Sequence, residues 1–241
     1  MHSMITYENL RLFAYVNDRI CKKPVRGIVL SFFGLGCMEM YEEETEEGKF
    51  YAENGILFAV PYNNPWAWMN RQTVRFTDEI VNVLFQKYAL KNNTPVISTG
   101  GSMGGQSALV YAAYAERTPA ACVVNCPVCD LVYSYGERKD VPRTLYSAFY
   151  NEEGELEEIL SKASPLHLAE SMPAIVYRIF HCDRDEAVNI SRHSACFVSK
   201  MKDIGRDIIF ETVHGRGHCD LTPEAYQSYR NYILQAVADN E

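Results

Sequence analysis

Short runs of consecutive apolar residues recur along the chain, each ended by glycine, proline or a polar cluster. The clearest are 27–33 (GIVLSFF) and 55–60 (GILFAV). A strand buried on both faces of a parallel sheet has this continuous apolar pattern. Further strands are predicted at 10–16, which alternates more strongly, and at 95–99, 120–124, 174–180 and 207–213.

Segments with helical spacing separate these strands. Val74, Val81, Leu84 and Tyr88 recur at helical intervals within 72–90. Further helices are predicted at 106–115, 190–202 and 223–237. Alternation of strands and helices predicts an α/β fold: a mostly parallel central sheet with helices on both faces.

One segment breaks the alternation. Residues 130–172 contain helical pieces, many aromatic residues and an acidic run. We interpret it as an insertion over the sheet edge that forms a small lid. A length of 241 residues suits one domain, so we predict a single domain over 1–241 that includes this lid.

The composition of the chain limits the kinds of binding partner that we expect. The net charge of −8 disfavours nucleic acid, because a phosphate backbone would be repelled. No apolar run approaches the roughly 18–20 residues of a membrane-spanning helix. The start of the chain, Met1-His2-Ser3-Met4, lacks the basic and apolar stretches of a secretory signal. Eight cysteines in such a chain indicate free thiols, so we expect a cytoplasmic protein with no membrane partner.

Gly100-Gly101-Ser102-Met103-Gly104 lies between a predicted strand and a predicted helix. The sequence matches G-x-S-x-G, the nucleophile elbow, in the structural context that this motif requires. There a sharp turn projects the serine hydroxyl from the sheet edge, and the following helix directs free N–H groups at a developing oxyanion. The alternative is a turn of small residues that only packs a helix on a strand.

A serine nucleophile needs a histidine base that a carboxylate orients, and in this context the order is serine, acid, histidine. Candidates for the acid follow the strand 174–180, and candidates for the base follow the strand 207–213. Asp185 is the preferred acid and Asp183 its rival. His218 is the preferred base, and its rival is His214.

These motifs resemble the α/β-hydrolase superfamily, especially its prolyl oligopeptidase-like and dienelactone hydrolase-like branch. His181, Asp185 and Val188 fall on the H-G-x-x-D-x-x-V pattern of that branch, with Cys182 in place of its glycine. Gly215, Gly217 and His218 fall on its G-x-G-H loop. The resemblance covers the chain from about residue 27 to its end and implies a serine hydrolase. We expect His181 to support its loop through hydrogen bonds.

Two backbone N–H groups are expected to form an oxyanion hole. Met103, directly after the serine, is the first candidate. The second is Leu35, in the turn Phe33-Gly34-Leu35-Gly36, where many relatives have His-Gly. The alternative for this turn is an ordinary glycine turn.

Aromatic residues follow the strand 55–60 and should lie at the edge where open α/β sheets bind ligands. Tyr62, Trp66 and Trp68 are therefore candidates for substrate binding, although both tryptophans are equally suited to pack the lid on the body. Cys126 and Cys129 form a C-x-x-C pair, but a structural zinc site usually needs two more ligands. We expect no metal and no cofactor.

Together these features predict acyl transfer by Ser102, with His218 as base, Asp185 as orienting acid and water as final acceptor. The preferred activity is hydrolysis of a small or medium carboxylic ester, with a short-peptide peptidase as the alternative. A catalytically inactive binding protein on the same scaffold is a third possibility. Activity should fall below about pH 6–7, where an ordinary histidine becomes protonated. The oligomeric state is not indicated by the sequence.

Overall fold

The strands form one sheet in the computed structural model, which describes residues 4–241. Met1, His2 and Ser3, where the absence of a secretory signal was expected, lie outside the described residues. The sheet order is β1-β3-β2-β4-β5-β6-β7, with β1 antiparallel to β3 and the other neighbours parallel. The strands are β1 (Ala14–Val16), β2 (Gly27–Phe32), β3 (Ile56–Pro61), β4 (Val96–Gly101), β5 (Ala121–Asn125), β6 (Val176–Cys182) and β7 (Ile208–Val213).

Helices connect these strands within the described residues. They are α1 (Glu46–Glu53), α2 (Arg71–Lys87), α3 (Met103–Tyr114), α4 (Leu131–Glu137), α5 (Val141–Phe149), α6 (Leu156–Ser161), α7 (Pro165–Leu168), α8 (Ser194–Asp203) and α9 (Pro223–Ala238). The predicted fold class, a mostly parallel sheet between helices, is confirmed.

Apolar side chains of the strands alternate between two buried clusters. Ile28 and Leu30 of β2 pack in the cluster that α2, α3 and α8 cover. Val29, between them, packs in the opposite cluster with residues of α1 and α9, including Tyr51 and Ile233. Both faces of the sheet are therefore buried, which explains why its strands are apolar without interruption.

The strand register places the predicted motifs at one edge. Gly101 at the end of β4 pairs with Asn125 at the end of β5, which pairs with Phe180 of β6. Cys182, the last residue of β6, pairs with Val213, the last of β7. The segments that follow β4, β5, β6 and β7 thus leave the sheet side by side.

One local prediction was wrong. The strand predicted at 10–16 is limited to Ala14–Val16, because Leu10–Leu12 forms a short 3-10 helix. The sequence analysis also did not predict helix α1, which begins at Glu46 within an acidic run of the sequence. Thr45 caps that helix by accepting a hydrogen bond from the N–H of Gly48, and acidic residues in the first turn favour the helix dipole.

Between β5 and β6 the chain forms α4, α5, α6 and α7. Leu131, Val141 and Leu145 of this segment are buried against Trp68 and Met103 of the body. The segment therefore packs beside the start of α3. Its action as a lid, and the extent of the single domain, stay predictions. No helix among the described residues is long and apolar enough to cross a bilayer.

Candidate active site

Ser102 lies at the sharp turn between β4 and α3, with φ 58° and ψ −125°. A non-glycine residue rarely adopts this conformation, and such strain persists only where the surroundings enforce it. The Ser102 N–H donates to the carbonyl of Asn125 (2.9 Å), and its carbonyl accepts from Gln106 N–H (3.1 Å). These bonds hold the serine at the amino end of α3, as the elbow motif predicts.

Two glycines of the motif allow this turn to form. A Cβ at Gly100 would lie 2.4 Å from the carbonyl oxygen of Gly104, and a Cβ at Gly104 would lie 2.1 Å from that of Phe32. Neither position has space for a side chain, because the facing atoms are backbone. The glycines therefore let α3 begin directly against β2 and β4.

The preferred acid and the preferred base are in contact. Nδ1 of His218 lies 2.7 Å from Oδ2 of Asp185. The other carboxylate oxygen of Asp185 accepts the N–H groups of Ala187 (2.8 Å) and Val188 (2.9 Å). Burial opposes ionisation of this carboxyl, but the histidine and backbone hydrogen bonds outweigh it and hold the pKa of Asp185 well below its usual range. The carboxylate is therefore ionised.

His181 is fully buried beneath this pair. Its Nδ1 lies 2.6 Å from the hydroxyl of Ser194, and its Nε2 lies 3.1 Å from the carbonyl of Val188 and 3.3 Å from Oδ2 of Asp185. The expected role of His181 in supporting the loop agrees with these contacts. They also fix one oxygen of Asp185 from below.

The rival residues form a separate pair at the surface. Nδ1 of His214 lies 2.9 Å from Oδ2 of Asp183, whose other oxygen accepts the N–H of Gly215 at 2.7 Å. The His214 side chain is 83% exposed. The geometry thus separates the two candidate pairs, and of the two histidines only His218 lines the same cavity as Ser102.

Ser102 and His218 line the same cavity, which has a volume of about 620 Å³. The hydrogen bond to Asp185 raises the pKa of His218 to about 9, with a further contribution from Cys126 and against the opposing effect of burial. Leu35 and Trp66 also line this cavity. Another wall is formed by residues 138–144, which comprise the first turn of α5 and the residues just before it. Serine, histidine, turn and tryptophan are therefore brought together as the sequence predicts.

The N–H groups of the two candidate oxyanion donors have no hydrogen-bond partner among the described residues. Met103 is the first residue of α3, so its N–H has no partner within the helix. Leu35 lies in the turn after β2, and within residues 4–241 its N–H has no hydrogen-bond acceptor. The turn itself is held by the N–H of Gly36, which donates to the carbonyl of Pro65 at 2.9 Å.

Trp68 and Tyr62 do not line this cavity, contrary to the sequence prediction. Trp68 is only 2% exposed, and its indole N–H donates to the hydroxyl of Thr144 at 2.9 Å. It packs the segment between β5 and β6 on the body, which was the alternative for both tryptophans. The Tyr62 hydroxyl instead accepts the N–H of Tyr41 at 3.0 Å. Trp66 alone of the three, 38% exposed, faces the cavity.

Asn125 is a positioning residue that the sequence did not reveal. Its carbonyl accepts the N–H of Ser102 (2.9 Å), while its side-chain amide donates to the carbonyl of Cys219 (3.1 Å). It therefore links the elbow to the residue after His218. The sequence signal for this role is a polar residue at the end of the buried strand β5.

The sequence from 66 to 238 matches the model of the prolyl oligopeptidase family. This chain belongs to the prolyl oligopeptidase family. It is a serine hydrolase with the α/β-hydrolase fold, in the prolyl oligopeptidase-like branch. The matched range includes Ser102, Asp185 and His218 but not the turn at Leu35. None of the curated proteins compared with the chain matches it.

Solved structures share the fold at low identity. An esterase of Thermogutta terrifontis, Est2 with propionate bound, has a TM-score of 0.64 and 19% identity, over 94% of this chain and 88% of the esterase. Dipeptidyl peptidase 4 of Porphyromonas gingivalis has a TM-score of 0.68 and 14% identity, over 95% of this chain and 33% of the peptidase. Acylaminoacyl peptidase of Pyrococcus horikoshii has a TM-score of 0.69 and 14% identity, over 89% of this chain and 37% of the peptidase. The chain thus spans about a third of the length of these two peptidases.

Proposed function

We propose that this protein is a carboxylic-ester hydrolase that acts by acyl transfer through Ser102, His218 and Asp185. The observation that carries the proposal is the strained serine at the amino end of α3, in one cavity with a histidine whose Nδ1 is held by a buried carboxylate. This combination is the arrangement that activates a serine hydroxyl for nucleophilic attack.

In the proposed reaction, Nε2 of His218 accepts the proton of the Ser102 hydroxyl as its oxygen attacks the ester carbonyl. Asp185 holds the proton on Nδ1 and stabilises the imidazolium. The N–H groups of Met103 and Leu35 stabilise the oxyanion. His218 returns the proton to the leaving alcohol, and water then attacks the acyl-enzyme by the same steps, which releases the carboxylic acid.

The charges of the cavity support an ester over a peptide with a free amino terminus. Arg138 pairs with Asp140 at 2.6 Å, and the guanidinium of Arg143 lies 5.8 Å from the ring centre of Trp66. Among the described residues that line the cavity, Asp140 is the only carboxylate, and it is already paired. A cationic amino terminus would therefore have no free acidic partner there.

Both esterases and peptidases are among the solved structures that share this fold. The eight cysteines, all unpaired in the structure, support the proposed cytoplasmic location, where thiols stay reduced. A peptidase is the second candidate, favoured by the family itself.

The test is hydrolysis of p-nitrophenyl acetate, butyrate and octanoate, compared with dipeptide p-nitroanilides. The Ser102→Ala variant removes the proposed nucleophile, and Ser107→Ala, in the same helix, is the matched control. We expect the wild type and Ser107→Ala to hydrolyse the esters. In Ser102→Ala we expect kcat to fall by a factor on the order of 10³ or more. Faster turnover of anilides than esters would instead support the peptidase, and inertness towards both would support a binding protein.

A further inference from the structure

A group of sulfur and nitrogen atoms lies directly beside the proposed base. One ligand atom from each of Cys126, His218 and Cys219 lies within 4.8 Å of the other two. Nε2 of His218 is 3.8 Å from Sγ of Cys219. Two ligands of a tetrahedral zinc ion, bound at about 2.3 Å for sulfur and about 2.0 Å for nitrogen, are separated by roughly 3.5 Å. The separation of the Cys219 and His218 ligand atoms is thus close to that of two ligands of one zinc ion, and the sulfur of Cys126 lies within 4.8 Å of both.

Two backbone N–H groups face the sulfur atom of Cys126. Its side chain is buried at the end of β5, where the N–H groups of Cys182 and Cys219 both point at Sγ from 3.4 Å. Hydrogen bonds of this kind stabilise negative charge on sulfur and orient it, as the outer shell of a metal site does. Cys129, the other half of the C-x-x-C pair, is instead directed at the carbonyl of Pro127 (3.6 Å).

His218 also has the orientation of a metal ligand. Asp185 engages Nδ1 at 2.7 Å and leaves Nε2 directed towards the cysteines. A histidine that ligates zinc through one nitrogen commonly donates its other N–H to a carboxylate. Cys219 and His218 both line the cavity that contains Ser102, and the buried Cys126 lies directly behind them, with its sulfur within 4.8 Å of their ligand atoms.

We propose that Cys126, His218 and Cys219 form an inhibitory site for a thiophilic divalent cation such as Zn²⁺. On binding, two metal–sulfur bonds replace two S–H bonds, and Nε2 of His218 donates its lone pair to the metal. The two thiol protons pass to solvent, as does the Nε2 proton where His218 starts in its protonated form. A water molecule fills the fourth position. His218 can then no longer accept a proton from Ser102, so the metal-bound protein does not hydrolyse esters. No electron is transferred, and a chelator reverses the binding.

The proposed inhibition rests on the proposed function, but metal binding itself does not. Binding is therefore measured independently of ester hydrolysis. The reduced, full-length protein is titrated with Cd²⁺, and the ultraviolet thiolate-to-metal charge-transfer band reports binding whether or not the protein is active. Wild type, Ser102→Ala, Cys126→Ser, Cys219→Ser and the control Cys196→Ser are compared. Cys196 is exposed and lies outside the three-residue group.

We expect one Cd²⁺ per chain in wild type, Ser102→Ala and Cys196→Ser, and affinity weakened at least about tenfold in both Cys126→Ser and Cys219→Ser. Zn²⁺ should inhibit ester hydrolysis by the wild type, with recovery after EDTA. Because Cys126 is buried, Cys219→Ser provides an independent test if Cys126→Ser does not fold. Unchanged Cd²⁺ affinity in Cys219→Ser, or loss of binding in Cys196→Ser, would overturn the proposal.

Discussion

Oδ2 of Asp185 lies 2.7 Å from Nδ1 of His218, while Oδ1 of the same carboxylate accepts two backbone N–H groups of its own loop. The loop after β6 thus presents a fixed, ionised acceptor to the loop after β7. Because the sheet register brings these two loops side by side, the imidazole is oriented by the fold before any substrate binds.

Asp185→Asn should reduce kcat for ester hydrolysis by about 10³–10⁴-fold, because an amide would hold the imidazole in the wrong tautomer. Steady-state kinetics with p-nitrophenyl butyrate would measure this loss. The matched control is Asp183→Asn, which alters the exposed pair with His214 and should leave kcat within about twofold of the wild type. Equal losses in both variants would contradict the assignment of the acid.

The pH dependence of kcat/KM should report His218. Its hydrogen bond to Asp185 raises the pKa from the ordinary 6.5 to about 9, above the value expected from the sequence alone. Because the base acts in its neutral form, activity is complete above this pKa and falls as the pH decreases through it. We expect an inflexion well above pH 6.5, which should move down in the residual activity of Asp185→Asn. A rate independent of pH down to about 5 would exclude His218 as the base.

Gly104→Ala should destabilise the protein, because the added Cβ would meet the Phe32 carbonyl at 2.1 Å. Overpacking of this kind costs about 1–3 kcal/mol or more in the free energy of unfolding, which urea denaturation measures. Gly136→Ala is the control, since Gly136 lies in α4 with no atom within 4 Å of the added Cβ. There alanine should be neutral or stabilise by up to about 1 kcal/mol. A larger loss of stability in Gly136→Ala than in Gly104→Ala would contradict the close packing described for the elbow.

The two tryptophans should respond differently to substitution. Trp68→Phe removes the donor to Thr144 and should lower the free energy of unfolding by about 1–2 kcal/mol. Trp66→Ala should change stability by less than about 0.5 kcal/mol, but it should alter the ratio of kcat/KM between acetate and octanoate esters. Urea denaturation and ester kinetics of both variants measure these effects. If only Trp68→Phe changed the acetate-to-octanoate ratio, the placement of Trp66 in the cavity wall would be wrong.

The sheet and the nucleophile elbow could be predicted because each follows from a local pattern. Continuous apolar runs mark strands buried on both faces, and the carboxyl ends of parallel strands necessarily share an edge. The order of strand, Gly-rich turn and helix around Ser102 is equally local. The acid and base motifs follow strands directly, so their approach to one another depends only on the sheet order.

Other features depend on contacts between distant segments. The acidic start of α1 is typical of solvent-exposed sequence, yet Glu47 pairs with Arg230 of α9 in the fold. Trp66 and Trp68 are two residues apart, and only the packing of the segment between β5 and β6 decides that one is buried. Asn125 belongs to no motif, and the C-x-x-C pair does not reveal the contacts that Cys126 makes. Both residues have a partner at Cys219, more than 90 residues away.

The most direct test of the account is the site of covalent modification by a fluorophosphonate. The protein would be labelled, digested and analysed by mass spectrometry, with Ser102→Ala and Ser107→Ala treated in parallel. The account predicts one adduct on Ser102, with the same adduct in Ser107→Ala and none in Ser102→Ala, and loss of ester hydrolysis in proportion to labelling. An adduct on a different residue, or ester hydrolysis that persists in fully labelled protein, would contradict the assignment of Ser102 as the nucleophile.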